Sequence, residues 1–489
     1  MASRGKHIGI AILVLLLINV LVYITEFKFL THTIMYADLL NRHSPMLNIS
    51  NVSHMFSVAT VSNLTIVLQK DVNTSTYHVT SDHDNKIRHK SINNETSQIK
   101  LNPDFECFSS DLPSTYVSSR HVKDINCAAI LTGSTKEITK ADKLTIRAKN
   151  RYDPNLYIKI TSNCTEFIKK RGYIMDSLTK QEEDFPVAFS IIMYKDIVQS
   201  ERLLRAIYRP QNYYCIHVDS KTPDFIYTGM IKIASCFENV FVSEKRYNVI
   251  WGTISVILPE LHCMDILWSH SKKWKYFINL TGQEFPLQTN LQLVKTLQRL
   301  NGSNSINGVK NHKQMYRWDT LEPPPHGITL TKGAVHIIAT RGYVDFVLHD
   351  QRASDFLLWT NQTRVPDETF FSSLNHNTFL NVPGAYGDIT SSNYSQVLIS
   401  RFKMWLHGSM RKLCKGRVLR NICVFGTGDL QLLASRTELF ANKFIFGFKQ
   451  YGHDCLEELH FNRTRDEYIA INTSNSGWFS QFLSDMKYG

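Results

Sequence analysis

No two of the nine cysteines form a C-x-x-C pair, and no Cys and His set has zinc-ligand spacing. That excludes zinc ribbons and dithiol redox motifs, and it leaves disulfides in an oxidising compartment as the default. Basic runs are also missing. The chain carries 55 Lys and Arg against 43 Asp and Glu, a formal charge of +12. No charge block or RNA-binding motif concentrates that surplus, so nucleic acid is not indicated as a partner. No internal repeat is visible, which argues against solenoids and propellers. What remains is 489 residues, enough for two or three domains' worth of core.

The first residues stand apart from that core. Residues 8–24 are apolar except for Gly9 and Asn19, with Arg4 and Lys6 in front. No small-x-small cleavage site follows, because Leu21, Val22 and Tyr23 are bulky. A cleaved signal peptide is the alternative, but the pattern reads as an uncleaved signal-anchor over residues 8–25. Residues 1–7 then form a cytoplasmic tail and the bulk of the chain is lumenal. The span sits at the short end of the usual range of about 17–25 residues. A thinner early-secretory membrane suits it better than the plasma membrane. N-x-S/T sequons are dense. Asn48, Asn51, Asn63, Asn73 and Asn94 fall within a polar, Ser-, Thr- and Asn-rich stretch. This stretch reads as a glycosylated stem, residues 26–120, ahead of a lumenal domain over residues 121–489.

From residue 185 onward, strand-like and helix-like segments alternate. Residues 187–193, 213–218, 240–242 and 276–280 are short β-branched or aromatic runs. Residues 225–235, 254–269 and 291–300 have helical apolar spacing. Ser200 is a candidate cap for a helix carrying Leu203, Leu204 and Ile207 on one face. The alternation predicts an α/β fold with a mainly parallel central sheet. Asp219 stands at the carboxyl end of the second strand, where ligands bind in open α/β sheets. An Asp there also forms turns.

Five segments carry a family signature: ERLLRAIYRPQNYYCIHVDSK at 201–221, WKYFINLTGQEFPLQTN at 274–290, VPDETFFSSL at 365–374, NICVFGTGDL at 421–430 and LFANKF at 439–444. Together they resemble the core 2 / I-branching β-1,6-N-acetylglucosaminyltransferase family, which also contains protein O-xylosyltransferases. The likeness runs from about residue 126 to the C-terminus. It implies a GT-A-like glycosyltransferase fold on a single-pass type II Golgi membrane protein. It also implies inverting, metal-independent transfer from a UDP-sugar to a 6-hydroxyl of an O-glycan such as core 1. N-acetylglucosamine is the expected sugar. UDP-glucose or UDP-xylose on another acceptor, and a non-catalytic glycan-binding homologue, are the alternatives. The pairs Cys127–Cys455, Cys164–Cys236, Cys215–Cys263 and Cys414–Cys423 are what the resemblance implies for the disulfides. Cys107 is left over, either to link two chains or to stay unpaired.

Transfer from a nucleotide needs a base, positive charge for the departing diphosphate and a platform for the acceptor. Glu368 matches the family's catalytic glutamate, although acidic residues in a first helical turn are common without catalysis. Asp367 is its neighbour and competitor. Arg420 and Lys443 match positions that contact the nucleotide phosphates, so a fork and a point charge replace a metal. Ile192, Tyr194, Asp219 and Trp251 are the candidates for uridine; for Trp251, core packing competes with stacking on the base. Trp405 matches an acceptor-side aromatic, with His407 where the family has a second one. Between Gly302 and Trp318 the family supplies an acidic and basic pair, but this chain has no carboxylate there. Lys313 and Arg317 remain as acceptor contacts. The triplet Asp82-His83-Asp84 resembles a metal-binding D-x-D, but it lies in the stem with no flanking apolar strand. Asn279 heads a sequon inside an expected buried strand, which argues against a glycan on it.

Overall fold

The computed structural model describes residues 120–147, 155–309, 316–318, 322–385, 399–406 and 412–475. The expected tail, anchor and nearly all of the stem lie outside the described residues, as do Cys107, Lys313 and His407. Among the described residues no helix is long and apolar enough to cross a membrane.

Four short runs build most of the central sheet: β1 Val187–Met193, β2 Tyr213–Val218, β3 Val240–Val242 and β4 Tyr276–Thr281. Three small strands follow, β5 Glu284–Pro286, β6 Gly308–Val309 and β7 Lys332–Gly333, and then β8 Ile338–Thr340. The sheet order is β3-β2-β1-β4-β8, with only β8 antiparallel to its neighbour. The fold is thus mixed α/β with a parallel-rich sheet.

Strand periodicity explains why β1 is apolar along both faces. Phe189 and Ile191 look to one side, with Ile216 and Val218 of β2, and meet Leu203, Leu204 and Ile207 of the helix Ile197–Ile207. Ala188, Cys215 and Phe277 look to the other side, toward Met264 and Leu267 of the helix Leu258–His270. Helices on both faces let a parallel sheet bury hydrophobic runs throughout. Each fully buried Leu or Ile contributes roughly 1.5–3 kcal/mol.

Ser200 does not cap its helix. The helix begins at Ile197, one turn earlier, and Ser200 Oγ donates to the Asp196 carbonyl at 3.0 Å. Ile197 is buried seven residues before Leu204, so the apolar stripe starts there. The remaining expected helices hold within a few residues, except that 254–269 begins as a 3₁₀ turn, Ile254–Val256, before the α-helix.

A second layer completes the lower half of the site. It contains β9 Arg401–Lys403, the hairpin of β10 Arg417–Leu419 and β11 Ile422–Val424, and β12 Phe440–Asn442. β12 runs parallel to β9 and antiparallel to β5. A third core of Phe285, Met404, Phe425, Phe444 and Leu456 fills the space beneath. Among the described residues four disulfides form, Cys127–Cys455, Cys164–Cys236, Cys215–Cys263 and Cys414–Cys423, the pairs that the resemblance implies. Asn279 is buried, and its amide nitrogen donates to the Val335 carbonyl at 2.7 Å, which leaves no room for a glycan.

Candidate active site

The carboxyl ends of β1, β2 and β4 face one edge of the sheet. Ile192 lies near the end of β1, and its carbonyl accepts from Gly282 N at 3.0 Å. Tyr194 follows the strand and is about half exposed. Asp219 follows β2. Its Oδ1 accepts from Lys221 N at 2.8 Å, so it does form a turn, and its Oδ2 meets Lys221 Nζ at 2.7 Å. The Lys221 amine also lies 5.7 Å from the centre of the Tyr194 ring and donates to the Val249 carbonyl at 2.7 Å. One lysine therefore ties Tyr194 and Asp219 to the loop that carries Trp251. Trp251 is 74% exposed. That removes core packing as its explanation and leaves a bare aromatic face beside the strand ends.

The same loop reaches the candidate base. Gly252 O accepts from Val365 N at 3.2 Å. Val365 sits in the left-handed region at φ +55°, and Pro366–Glu368 follows as a single 3₁₀ turn. Glu368 N closes that turn on Val365 O at 3.1 Å. The expected helix start at Pro366 is thus a 3₁₀ turn, with the α-helix beginning at Phe370. A β-branched residue at positive φ ahead of a proline bends the chain sharply and sets the direction of the next side chains.

Glu368 and Asp367 part company here. Asp367 is buried, and burial followed by repulsion from Glu368 pushes its carboxyl up to about 6. Glu368 is part-exposed, and its Oε2 receives Arg317 Nη1 at 2.7 Å with Lys332 Nζ at 3.6 Å. Arg317 is held by its own backbone, whose carbonyl accepts from Arg364 N. Next to it, Trp318 Nε1 donates to Thr369 Oγ1 at 3.2 Å. Lys332 is brought close by Gly333. A Cβ there would meet the Ser372 Cβ at 2.4 Å and the Asn307 carbonyl at 2.5 Å, so only glycine lets β7 lie against the helix after Glu368.

Cations continue from Glu368 through the second layer. Lys403 ends β9, in register with Asn442 at the end of β12. Its amine donates to His336 Nε2 at 2.9 Å and lies 5.5 Å from the Trp405 ring centre. Burial lowers the Lys403 amine to about 8; Glu284 and Glu368 pull it back up, and Arg401 and Lys443 repel it. Lys443 follows β12, and Phe444 N bonds to Gln283 O at 2.8 Å beside the β4 end. Its amine is lowered by burial first, then by Arg420 and Arg417. Arg420 and Asn421 form the two-residue tip of the β10–β11 hairpin, at φ +54° and +59°. Positive φ at both central positions is the type I′ geometry that fits the twist of a tight hairpin. Trp405 bridges to Ile422 of the same hairpin and is half exposed.

Glu368, Arg317, Trp405, Arg420 and Lys443 thus share one neighbourhood, linked to Ile192, Tyr194, Asp219 and Trp251 through Gly282 and Gly252. Gly426 and Gly428 keep negative φ and serve close approach; a Cβ on Gly426 would run into Lys449, and one on Gly428 into Lys415. Lys221, Lys332, His336 and Lys403 belong to the site as well and were not among the expected residues. Lys403 carried a readable signal, since it lies only two residues before Trp405. Among the described residues, the only cluster of three or more His, Cys, Asp or Glu within ligating distance is Cys414, Cys423 and Asp429. Its two sulfurs are joined in a disulfide.

A family model described as Core-2/I-Branching enzyme matches residues 187–434. A human β-1,3-galactosyl-O-glycosyl-glycoprotein β-1,6-N-acetylglucosaminyltransferase is 35% identical over 383 residues, 70% of this chain and 88% of that protein. A human N-acetyllactosaminide β-1,6-N-acetylglucosaminyl-transferase is 34% identical over 331 residues, 63% of this chain and 80% of that one. Among solved structures, apo mouse xyloside xylosyltransferase 1 covers 52% of this chain and 97% of its own at TM-score 0.28 and 8% identity, too slight a likeness to support any reading.

Proposed function

The chain belongs to the Core-2/I-branching enzyme family and is a glycosyltransferase of that family, and from this premise we propose that it forms a β-1,6 branch by inverting transfer of N-acetylglucosamine from UDP-GlcNAc to a 6-hydroxyl of an O-glycan. The relatives named above support the donor and linkage. The body is read as a GT-A-like domain on a Golgi type II anchor, residues 8–25.

In the proposed step the acceptor oxygen attacks the anomeric carbon and forms the new C–O bond. The bond from that carbon to the diphosphate oxygen breaks, and UDP leaves with the electron pair. The hydroxyl proton passes to the Glu368 carboxylate. One displacement turns an α-linked donor into a β-linkage. Arg420 and Lys443 take up the diphosphate charge without a metal, and Trp251 stacks on the uracil beside Asp219. Trp405 and Arg317 hold the acceptor, with His407 and Lys313 assigned to the same task. Cys107 is a candidate link between two copies.

The observation that carries the reading is the setting of Glu368. This carboxylate is bound by Arg317 at 2.7 Å, and beyond Lys403, which feels both Glu368 and Lys443, the Lys443 and Arg420 cations repel each other. Mutually repelling cations beside a carboxylate suit a dianionic leaving group. Glu368→Gln should lower transfer by about 10²–10⁴-fold with UDP binding kept. Near-normal turnover would remove Glu368 from the role. Activity should also survive excess chelator; loss that manganese restores would contradict metal-free departure.

A further inference from the structure

Three cations around Glu368 exceed what the reaction needs. Arg317 has a side chain 8% exposed and gives one arm to Glu368, while its Nε is buried with no partner among the described residues. A buried donor left open costs roughly 1–3 kcal/mol unless something fills it. Lys332 Nζ stands 3.6 Å from the same Glu368 oxygen, beyond hydrogen-bond length. Lys403 gives one N–H to His336 at 2.9 Å, and its amine lies 5.5 Å from the Trp405 ring centre.

The carboxylates nearby are already committed. Glu284 holds Arg401 at 2.8 Å and Asn442 at 2.9 Å. Glu368 is shared among the cations. Asp367 is buried and its carboxyl is raised only to about 6, so at neutral pH it and Glu368 set two negative charges against three cations. The segment between Gly302 and Trp318 contains no acidic residue at all. Arg420 and Lys443 offset the diphosphate, so Arg317, Lys332 and Lys403 are left facing the acceptor with surplus positive charge.

We propose that Arg317, Lys332 and Lys403 form an anion-binding subsite on the acceptor side of Glu368, and that the acceptor glycan carries a negative substituent, a sugar carboxylate or a sulfate ester. The inference rests on the transferase reading above. It names the substrate class that this chain selects.

The test uses the full chain in detergent with UDP-GlcNAc and three acceptors: a neutral galactosyl-N-acetylgalactosaminide, the same disaccharide with a sialyl carboxylate, and the same with a sulfate ester. At least one acidic acceptor should exceed the neutral one in kcat/KM by about tenfold or more. The two acidic arms tell carboxylate from sulfate. That ratio should collapse in Lys332→Gln and Lys403→Gln, survive in Lys332→Arg and shrink with added salt. UDP-induced thermal stabilisation shows that each variant is folded. Equal or better use of the neutral acceptor overturns the proposal. So does weakened UDP binding in the lysine variants, which would assign these cations to the donor. If no acceptor is glycosylated, the transferase reading fails, and glycan retention on the immobilised chain decides the subsite alone. Preferential retention of an acidic glycan, lost in both Gln variants, supports it; equal retention overturns it.

Discussion

Val365 carries a β-branched side chain in the left-handed region, at φ +55° and ψ +60°. Such a residue costs about 1–3 kcal/mol and persists only where its surroundings fix it. Here the fixing bonds run to Gly252 O and from Glu368 N. They join the Trp251 loop to the candidate base, so the strain holds that loop and Glu368 in one geometry. Val365→Gly should keep or raise the melting temperature, because glycine relieves the strain, while kcat falls about tenfold as Glu368 loosens. A variant that melts earlier yet turns over normally would refute this. Glu260 makes a second case at one residue. Burial pushes its carboxyl up to about 7; Ser190 and Asn279 hydrogen bonds pull it down, Glu284 pushes it up and Arg401 pulls it down. A carboxyl raised in the folded state binds its proton more tightly there than in the unfolded chain. Stability therefore falls as pH rises from the ordinary glutamate range toward 7, by about 1.4 kcal/mol per pKa unit. Glu260→Gln should remove that slope. Urea midpoints of wild type and variant at pH 5 and pH 8 check it: the variant gains on wild type at pH 8, and a constant difference would reject the assignment.

Helices and strands were legible in the sequence where one periodicity ruled the whole element. β1, β2 and β4 are continuous β-branched and aromatic runs because helices cover both faces of the sheet. The start of the helix Ile197–Ile207 was not legible from a capping residue, since Asp196 makes no side-chain cap and Ile197 begins the stripe. Motif likeness pointed to Glu368, Arg420 and Lys443, which the structure brings into one neighbourhood. It could not locate Lys332, His336 and Lys403, which meet only when β7 lies on the helix after Glu368 and β9 pairs with β12. A buried ion cluster couples elements in the same hidden way. The helix Gln450–Asn475 presents Glu457 to the helix Ile197–Ile207, where Arg202 Nε donates to it at 2.6 Å and Arg205 also bonds it; Arg120 Nη1 adds a bond at 2.7 Å. Burial works against the Glu457 charge, but the three arginines hold its carboxyl well below the usual range. That stabilisation is present above the ordinary glutamate pKa and is lost as pH falls toward the depressed value. Glu457→Gln removes one counter-charge from the guanidiniums, of which Arg202 keeps Asp454 and Arg205 keeps Glu201, so denaturation should show a loss of about 1.5–3 kcal/mol at pH 7. A loss within 0.5 kcal/mol, the usual range for surface changes, would show that the cluster does not join the two helices.

At the scale of the whole molecule, the site draws on residues from Ile192 to Lys443, so its geometry depends on how distant segments are held. Two disulfides separate holding from positioning. Cys127–Cys455 spans 328 residues and joins the helix Cys127–Leu131 to the helix Gln450–Asn475. Closing so long a loop restricts the unfolded chain strongly; about 4.7 kcal/mol is the chain-entropy figure for a 100-residue loop, and it grows slowly with length. It lies in the third core, with Leu430 and Leu456. The double variant Cys127→Ala/Cys455→Ala should therefore melt several degrees earlier, while kcat and the UDP Kd at 25 °C stay within about twofold of wild type. Cys414–Cys423 spans nine residues and reaches from the chain ahead of β10 to β11. A loop this short gives roughly 3 kcal/mol or less, but it braces the hairpin whose tip is Arg420. Cys414→Ala/Cys423→Ala should cost less in melting temperature than the first pair and more in UDP affinity, with Kd rising about tenfold as the guanidinium loses its place. An unchanged Kd in that variant would mean that Arg420 is positioned without the hairpin brace, or does not bind the diphosphate. Arg420→Ala distinguishes these cases: the UDP Kd rises if the guanidinium binds the diphosphate and stays put if it does not.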